Sequence, residues 1–129
     1  LSIAAIKGNL THDMLLKSGE CNLSAISNDA PFELFQRFGL QSGRDVDKFA
    51  DFPQAQRSEN GLYYLSDWAN AYFSLKVTES HDLGSHTRYT YNSCKAAIVI
   101  RAEEKTLVIN AKTPEATQEI YNMLLEKTK

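Results

Sequence analysis

The sequence predicts a mainly β domain of the α+β kind, in which an antiparallel barrel or strongly curved sheet carries peripheral helices and a C-terminal helix. Three observations lead to this prediction. Small or apolar residues alternate with polar ones along residues 68–78, which is typical of a strand. The β-branched runs at 95–101 and 106–110 are separated by a short charged segment, as in a hairpin. Apolar residues then recur at helical spacing after Pro114.

Size and composition indicate one domain over residues 1–129 and exclude several partners. The chain has 129 residues, and its 14 basic against 16 acidic side chains give a formal charge of −2. No basic excess exists, so we expect neither nucleic acid nor an anionic membrane as the main partner. No apolar run reaches the roughly 18 residues that a membrane helix needs.

The cysteines and histidines point to a reducing compartment and to no metal. Cys21 and Cys94 are the only cysteines and form no CxxC pair, so we expect free thiols and a cytoplasmic location. The histidines and cysteines lack the spacing of a zinc site. The first residue is not Met, from which we expect a processed, trimmed or partial chain.

The first third of the chain alternates strands and helices. Residues 1–6 are almost wholly apolar and predict a buried strand. Thr11 stands where a helix N-cap belongs, and Gly19 ends that helix. Residues 21–27 alternate as a second strand. Asn28 or Asp29 then caps a helix that has Pro31 in its first turn. Its inner face is predicted from the apolar positions before Gly39: Phe32, Leu34, Phe35 and Phe38.

The polar segment 43–60 is too long for a simple connection, so it is either functional or contains short helical turns. Residues 62–65 predict a short strand. In the next strand, 68–78, the alternation predicts two sides. One side carries Ala69, Ala71, Phe73, Leu75 and Val77, and the other carries Asn70, Tyr72, Ser74, Lys76 and Thr78. Residues 80–86 read as a polar turn, and 87–91 as a strand ended by Asn92 and Ser93. Thr113 is expected to cap the last helix.

Three local features allow both a structural and a functional interpretation. Thr11 is a helix cap, or a hydroxyl beside a helix N-terminus that meets a phosphate. The segment 80–86 is a hairpin turn with exposed imidazoles, or the edge of a cofactor site. Asp45 and Asp47 alternate with basic residues, which favours local ion pairs over an acid and base pair. Dinucleotide, P-loop and hydrolase motifs are absent from the sequence.

Three segments taken together resemble flavin reductase-like proteins, which are FMN-binding split barrels. They are IAAIKGNLTHD (3–13), FQRFG with SGRDVDKF (35–39 and 42–49) and DLGSHT (82–87), and the resemblance covers about residues 1–88. It implies a split β-barrel that is usually a homodimer and holds FMN near the subunit interface. It also implies an NAD(P)H-dependent flavin oxidoreductase that passes a hydride or electrons through the flavin to an electron-transfer partner protein.

The resemblance implies cofactor-binding positions and assigns no catalytic residue. Asn9 and Thr11 match positions near the ribityl-phosphate. Ser42, Gly43 and Arg44 match the loop that approaches the cofactor. His86 matches a position near the flavin or nicotinamide.

Two departures from the family pattern leave an alternative open. Family members carry a few strands before the segment that matches residues 1–6, and we expect the present sequence to lack them. Residues 89–129 weakly resemble the closing ββα part of a bacterial PH-like domain. The alternative is therefore a non-catalytic PH-like β-barrel binding module that retains the flavin motifs as relics. A third interpretation is a chain that joins parts of two genes.

Overall fold

The computed structural model describes residues 1–102, 105–110 and 113–128. Within them the chain forms seven strands and three helices, so the predicted mainly β fold with a C-terminal helix is confirmed. In chain order the elements are β1 (Ser2–Ile6), α1 (Leu10–Ser18), β2 (Glu20–Ile26), α2 (Phe32–Gly39), β3 (Ala55–Arg57), β4 (Tyr63–Leu65), β5 (Ala69–Asp82), β6 (His86–Ala102), β7 (Lys105–Asn110) and α3 (Pro114–Thr128).

The main sheet is built around β6, a strand of 17 residues. One edge of β6 pairs with β5, which pairs in turn with β2. The opposite edge pairs with β1 near its start and with β7 near its end. All these pairings are antiparallel. Register shifts after Ser74 and after Val77 interrupt the ladder between β5 and β6, and such bulges bend and twist the sheet into a half-barrel.

Both faces of the sheet are covered. On one face, α1 contributes Leu15 to a cluster with Leu75, Tyr89 and Tyr91. On the other face, Tyr64 of the β3–β4 hairpin stacks on Tyr72 of β5, with ring centroids 4.1 Å apart. Tyr72 is buried because the hairpin packs on it, and Ser74, predicted on the same side of the strand, is also buried.

The strands differ from the predicted ones where pairing overrides local pattern. β1 alternates between exposed and half-buried residues and is not the buried strand that its apolar sequence predicts. β5 continues through residue 82, so the predicted turn at 80–86 shortens to residues 83–85. The predicted break at Asn92 and Ser93 is wrong, because these two residues pair with Lys76 and Leu75 of β5 and β6 continues through them. The β6–β7 hairpin is confirmed by the pairing of residues 102 and 105, although its two tip residues lie outside the described part.

The ends of α1 and α3 follow from capping. Gly19 ends α1 in the left-handed conformation, with φ 66°, as predicted. The cap at its start is Asn9 rather than Thr11, which lies inside the first turn. Thr113 does cap α3, since its hydroxyl accepts a hydrogen bond from the Ala116 amide at 3.2 Å.

Helix α2 does not bury the predicted aromatic face. Its N-cap is Pro31, and Leu34 is its one buried residue. Phe32 is 68% exposed and Phe35 is 49% exposed, so only part of the predicted face packs inward. The helix therefore leaves an apolar surface open.

We predict that Leu75→Ala destabilises the fold by about 2–5 kcal/mol, because a large buried side chain leaves a cavity in a packed core. Leu75 is 2% exposed and lies in the cluster with Leu15. Urea unfolding followed by circular dichroism measures the change. The control is Lys76→Ala on the same strand, which is exposed and should change the free energy of unfolding by less than about 0.5 kcal/mol. Equal effects of the two substitutions would contradict this description of the core.

Candidate functional site

The segment after α2 is fastened to that helix by two basic side chains. Arg37 of α2 donates through Nε to the Lys48 carbonyl at 2.7 Å and through Nη2 to the Ala50 carbonyl. Lys48 returns the contact, since its Nζ donates to the carbonyl of Phe38 at 2.8 Å. The guanidinium of Arg37 also lies 4.9 Å above the Phe52 ring. Arg37 of α2 and Lys48 of the loop therefore hold the loop against this helix.

Aromatic rings attach the same loop to the β3–β4 hairpin. Phe49 stacks on Tyr63 at a centroid distance of 4.0 Å and an interplanar angle of 10°. The guanidinium of Arg57 covers the Tyr63 ring at 4.2 Å. Phe38 packs against both Phe49 and Phe52, at 5.2 and 5.3 Å. The end of the loop is therefore anchored by α2 and by the β3–β4 hairpin. Residues 42–44 lie outside this anchored part.

Ser42 and Gly43 form a turn that lies directly against α1. The Ser42 carbonyl accepts hydrogen bonds from the amides of Asp45 and Val46, and its hydroxyl accepts one from the Arg44 amide at 3.2 Å. A Cβ atom on Gly43 would lie only 2.9 Å from Cδ2 of Leu10. The absent side chain of Gly43 lets the loop approach the first residue of α1 closely.

Arg44 reaches across to the start of α1. Its Nη2 donates to the Gly8 carbonyl at 3.3 Å and forms an ion pair with the Asp13 carboxylate. Arg44 is the largest cause, and His12 the next, of a pKa of Asp13 that lies below its ordinary value. A guanidinium is therefore held beside a helix N-terminus.

That N-terminus is open to an anion. Asn9 has extended backbone angles, φ −75° and ψ 146°, and its side chain makes no capping hydrogen bond. Asn9 and Thr11 are both exposed. The first N–H groups of a helix lack intrahelical acceptors, and the helix dipole adds positive potential. With Arg44 beside them, these groups have the chemistry of a phosphate site.

The turn between β5 and β6 contacts the segment just before α1. Asp82 accepts two hydrogen bonds from Lys7 Nζ, at 2.6 and 2.7 Å, and one from the Gly84 amide at 2.7 Å. Lys7 first and Gly84 second keep the pKa of Asp82 below its ordinary value. The backbone amide of Lys7 also donates to the Ser85 carbonyl at 2.9 Å. Gly84 has φ 88°, a conformation that suits glycine and closes the turn.

His86 begins β6 at this turn and is half-buried. Its Nδ1 lies 2.8 Å from the Ser85 hydroxyl, and its Cα pairs with Ile6 of β1. The next residue, Thr87, is buried, and its hydroxyl lies 2.9 Å from Nε2 of His12 in α1.

The predicted site residues thus form two groups around residues 7–13. Asn9, Thr11, Ser42, Gly43 and Arg44 gather at the start of α1. His86 joins the same segment from the other side, through the contacts of its turn with Lys7. A cavity of about 300 Å³ lies elsewhere, lined by residues such as Ser58, Asn60 and Tyr72, and includes none of the predicted residues.

The sequence interpretation missed three residues that hold these groups together: Lys7, His12 and Asp13. The sequence signal for this cluster was the adjacent pair His12 and Asp13, which begins four residues after Gly8.

Two absences hold for residues 1–102, 105–110 and 113–128. There, no group of three histidine, cysteine, aspartate or glutamate side chains is arranged to hold a metal ion. No helix among the same residues is long and apolar enough to cross a membrane.

Solved structures with the same architecture define the class of fold. An FMN-binding protein from Thermus thermophilus with bound p-hydroxybenzaldehyde superposes with a TM-score of 0.64 and 24% identity, over 74% of this chain and 52% of that one. Flavoredoxin from Methanosarcina acetivorans gives a TM-score of 0.64 at 12% identity, over 85% and 67% of the two chains. The half-barrel with its peripheral helices is accordingly a split barrel, as expected.

The family follows from the sequence itself. The model of the flavin reductase like domain matches residues 1–114, and the chain belongs to this family. The match continues well past residue 88, where the resemblance was expected to stop. The expected likeness of residues 89–129 to a PH-like domain is therefore not supported.

Two curated relatives show how much of a longer protein the chain resembles. A high molecular weight rubredoxin from Moorella thermoacetica is 31% identical over 106 residues, which are 82% of this chain and 46% of that protein. A ferric-chelate reductase (NAD(P)H) from Archaeoglobus fulgidus is 27% identical over 126 residues, 94% of this chain and 73% of that protein. The chain spans about half the length of the first relative.

We predict that Arg37→Lys loosens the loop without unfolding the protein. Lysine cannot reproduce the forked contact that Arg37 makes with two carbonyls. Hydrogen exchange should become faster at the Asp45, Val46 and Ala50 amides, which bond within the loop, and stay unchanged in β5. Arg88→Lys, on the exposed side of β6, is the control and should leave the loop amides unchanged. Uniformly faster exchange in the Arg37→Lys protein would contradict a local role.

We predict that the Asp82 contacts stabilise the protein at neutral pH and not at low pH. Because the pKa of Asp82 is lowered in the folded state, its stabilisation is present above the unfolded value of about 3.9 and is lost as the pH falls through the folded value. Asp82→Asn should therefore lower the melting temperature at pH 7, and the difference from the wild type should shrink below about pH 4. A difference that is constant from pH 7 to pH 2 would contradict the assignment.

Proposed function

We propose that this protein binds FMN and acts as an NAD(P)H-dependent flavin oxidoreductase, passing the electrons to a partner protein. The observation that carries the proposal is the position of Arg44, whose guanidinium lies beside Gly8 at the start of α1. No side-chain capping hydrogen bond is made by Asn9 at this helix start. A cationic fork and free backbone N–H groups at one point suit a phosphate group. Membership of the flavin reductase-like family supports a flavin as the source of that phosphate.

The residues at the start of α1 would hold the flavin phosphate. Arg44 would donate hydrogen bonds to the phosphate, and the amides of the first helical turn would add theirs. The exposed side chains of Asn9 and Thr11 would supply further hydrogen bonds at the same point. The turn formed by Ser42 and Gly43 would bring the loop close enough for these contacts, as its approach to Leu10 supports.

His86 would act at a second point, beside the turn that contacts Lys7. Its ring is half-buried and bonded to the Ser85 hydroxyl, so it has a defined orientation beside residues 6 and 7. An imidazole N–H so placed would hydrogen-bond to the ring end of the flavin or to a nicotinamide. When bound, the flavin supplies the hydride and electron chemistry, and the protein supplies binding and orientation.

The donor, the acceptor and the cofactor are proposed from the relatives. The ferric-chelate reductase carries NAD(P)H in its name, which supports NADH or NADPH as the donor. The rubredoxin relative supports an electron-transfer partner protein as the acceptor. The FMN-binding protein supports FMN, although another similar structure is an NADH:FAD oxidoreductase from Streptomyces globisporus.

We further propose a cytoplasmic homodimer. Phe32, Phe35 and Leu40 are exposed by 68%, 49% and 77%, which supports an apolar interface beside α2. Cys21 is a free thiol, which supports a reducing compartment. The alternative of a non-catalytic binding module rested on a PH-like resemblance of residues 89–129. That basis is not supported, because the family match extends through β7.

Titration of the purified protein with FMN tests the proposal, with quenching of flavin fluorescence or the absorbance band near about 450 nm as the signal. We predict that Arg44→Gln weakens FMN binding about 10- to 100-fold, because one charged hydrogen-bonding group is lost from a phosphate site. Arg88→Gln is the control: it removes the same charge from an exposed side chain on β6 and should leave the affinity unchanged. A wild-type protein that takes up no FMN would refute the function.

A further inference from the structure

We propose that Asp13 is a positioning residue that holds Arg44 in its phosphate-binding orientation, and that buried His12 holds Asp13. This inference rests on the proposed function, since it concerns the same phosphate site. It adds two residues that need not touch the cofactor. It also links the start of α1 to Thr87, the neighbour of His86, through one chain of side-chain contacts.

His12 is the fixed point of this chain of contacts. It is 7% exposed, its Nε2 lies 2.9 Å from the Thr87 hydroxyl, and its Nδ1 lies 3.3 Å from Oδ1 of Asp13. Its carbonyl accepts a hydrogen bond from the Tyr89 hydroxyl at 3.4 Å, and its ring meets the Tyr89 ring edge-on. An ionised carboxylate only accepts, so Nδ1 of His12 donates to Asp13, and the Thr87 hydroxyl lies within hydrogen-bond distance of Nε2.

Asp13 uses its two oxygens for two different partners. Oδ1 faces His12, and Oδ2 faces Arg44. Because His12 sits on the buried side of α1, it fixes the rotamer of an otherwise exposed carboxylate. The carboxylate is then a rigid acceptor for the guanidinium. An exposed ion pair alone contributes little to stability. An ion pair whose carboxylate is also fixed by a second hydrogen bond can still orient its partner, here the guanidinium of Arg44.

The contacts of Arg44 leave most of its donors available. Both of its side-chain hydrogen bonds use Nη2, and in the described part of the chain neither Nε nor Nη1 has a recorded partner. A guanidinium has five N–H donors in a rigid plane. With Nη2 fixed by Gly8 and Asp13, the remaining donors are presented to a ligand without a further loss of side-chain freedom.

Two opposing effects of Asp13 on a phosphate must be compared. The carboxylate repels the phosphate, but the Asp13 side chain is 50% exposed, and water and salt screen such repulsion. Fixing a long side chain such as Arg44 in advance removes an ordering cost that weakens binding by about three- to tenfold. We infer that positioning is the larger effect, so Asp13 favours phosphate-bearing flavins.

Asp13→Asn separates the two contacts of this residue. The amide oxygen can still accept from His12, whereas the amide nitrogen would face Arg44 with a donor against a donor. FMN affinity should fall about three- to tenfold, and the affinity for riboflavin, which lacks the phosphate, should stay unchanged. The matched control is Asp45→Asn, which removes the same charge from the exposed neighbour of Arg44 and should change neither affinity.

A double-mutant cycle distinguishes positioning from a general structural effect. In an Arg44→Gln background, Asp13→Asn should have no further effect on FMN binding, because the residue that it positions is gone. Equal weakening of FMN and riboflavin, an effect that persists in the Arg44→Gln background, or a gain in FMN affinity would each overturn the inference.

A ligand-free measurement keeps this inference separable from the proposed function. In flavin-free protein, NMR relaxation of the Arg44 Nε–H group should show an ordered side chain in the wild type and in Asp45→Asn, and a mobile one in Asp13→Asn. Unchanged order in Asp13→Asn would refute the positioning role whatever the protein binds. If the order falls as expected but the wild type takes up no FMN, the proposed function fails and the positioning contact stands.

Discussion

The antiparallel ladder between β5 and β6 is the constraint on which the remaining structure depends. It joins the two longest strands, and each of its outer edges receives a different part of the chain: β2 on one side, β1 and β7 on the other. The turn at its tip carries His86, and the face of its middle part binds α1 through Leu15. Its bulges curve the sheet, which lets one helix contact both the tip and the interior.

Helix α1 brings the proposed site residues together on this scaffold, because its two sides make different contacts. Leu15 anchors the helix in the core, and the buried His12 binds the ladder at Thr87. The opposite side receives the loop after α2, with Gly43 against Leu10 and Arg44 against Asp13. Residues that are far apart in sequence thus contact the same short helix. The N–H groups of its first turn, which lack intrahelical acceptors, lie beside them.

Sequence patterns predicted the elements that depend on local chemistry and failed where distant strands decide. The Gly19 and Thr113 caps, the β6–β7 hairpin and the mainly β class are local or periodic signals, and they agree with the structure. The burial of Tyr72 does not follow from the alternation along β5, because it comes from the β3–β4 hairpin that packs on this side of the strand. The continuity of β6 was hidden by the polar residues Asn92 and Ser93, which pair with Lys76 and Leu75 of β5 in the folded chain. For the site, motif spacing suggested which residues belong together, whereas the contacts of Lys7, His12 and Asp13 require the folded chain.

The close approach of Gly43 to Leu10 makes these two positions one steric unit, although 33 positions separate them in the sequence. A methyl group at position 43 meets the flexible end of a leucine, not backbone, so the conflict is relieved by shortening the side chain at position 10. Homologues that carry alanine or serine at position 43 should therefore carry a smaller residue at position 10. Such covariation would trace the spacing between loop and helix through evolution, independently of whichever flavin each homologue uses.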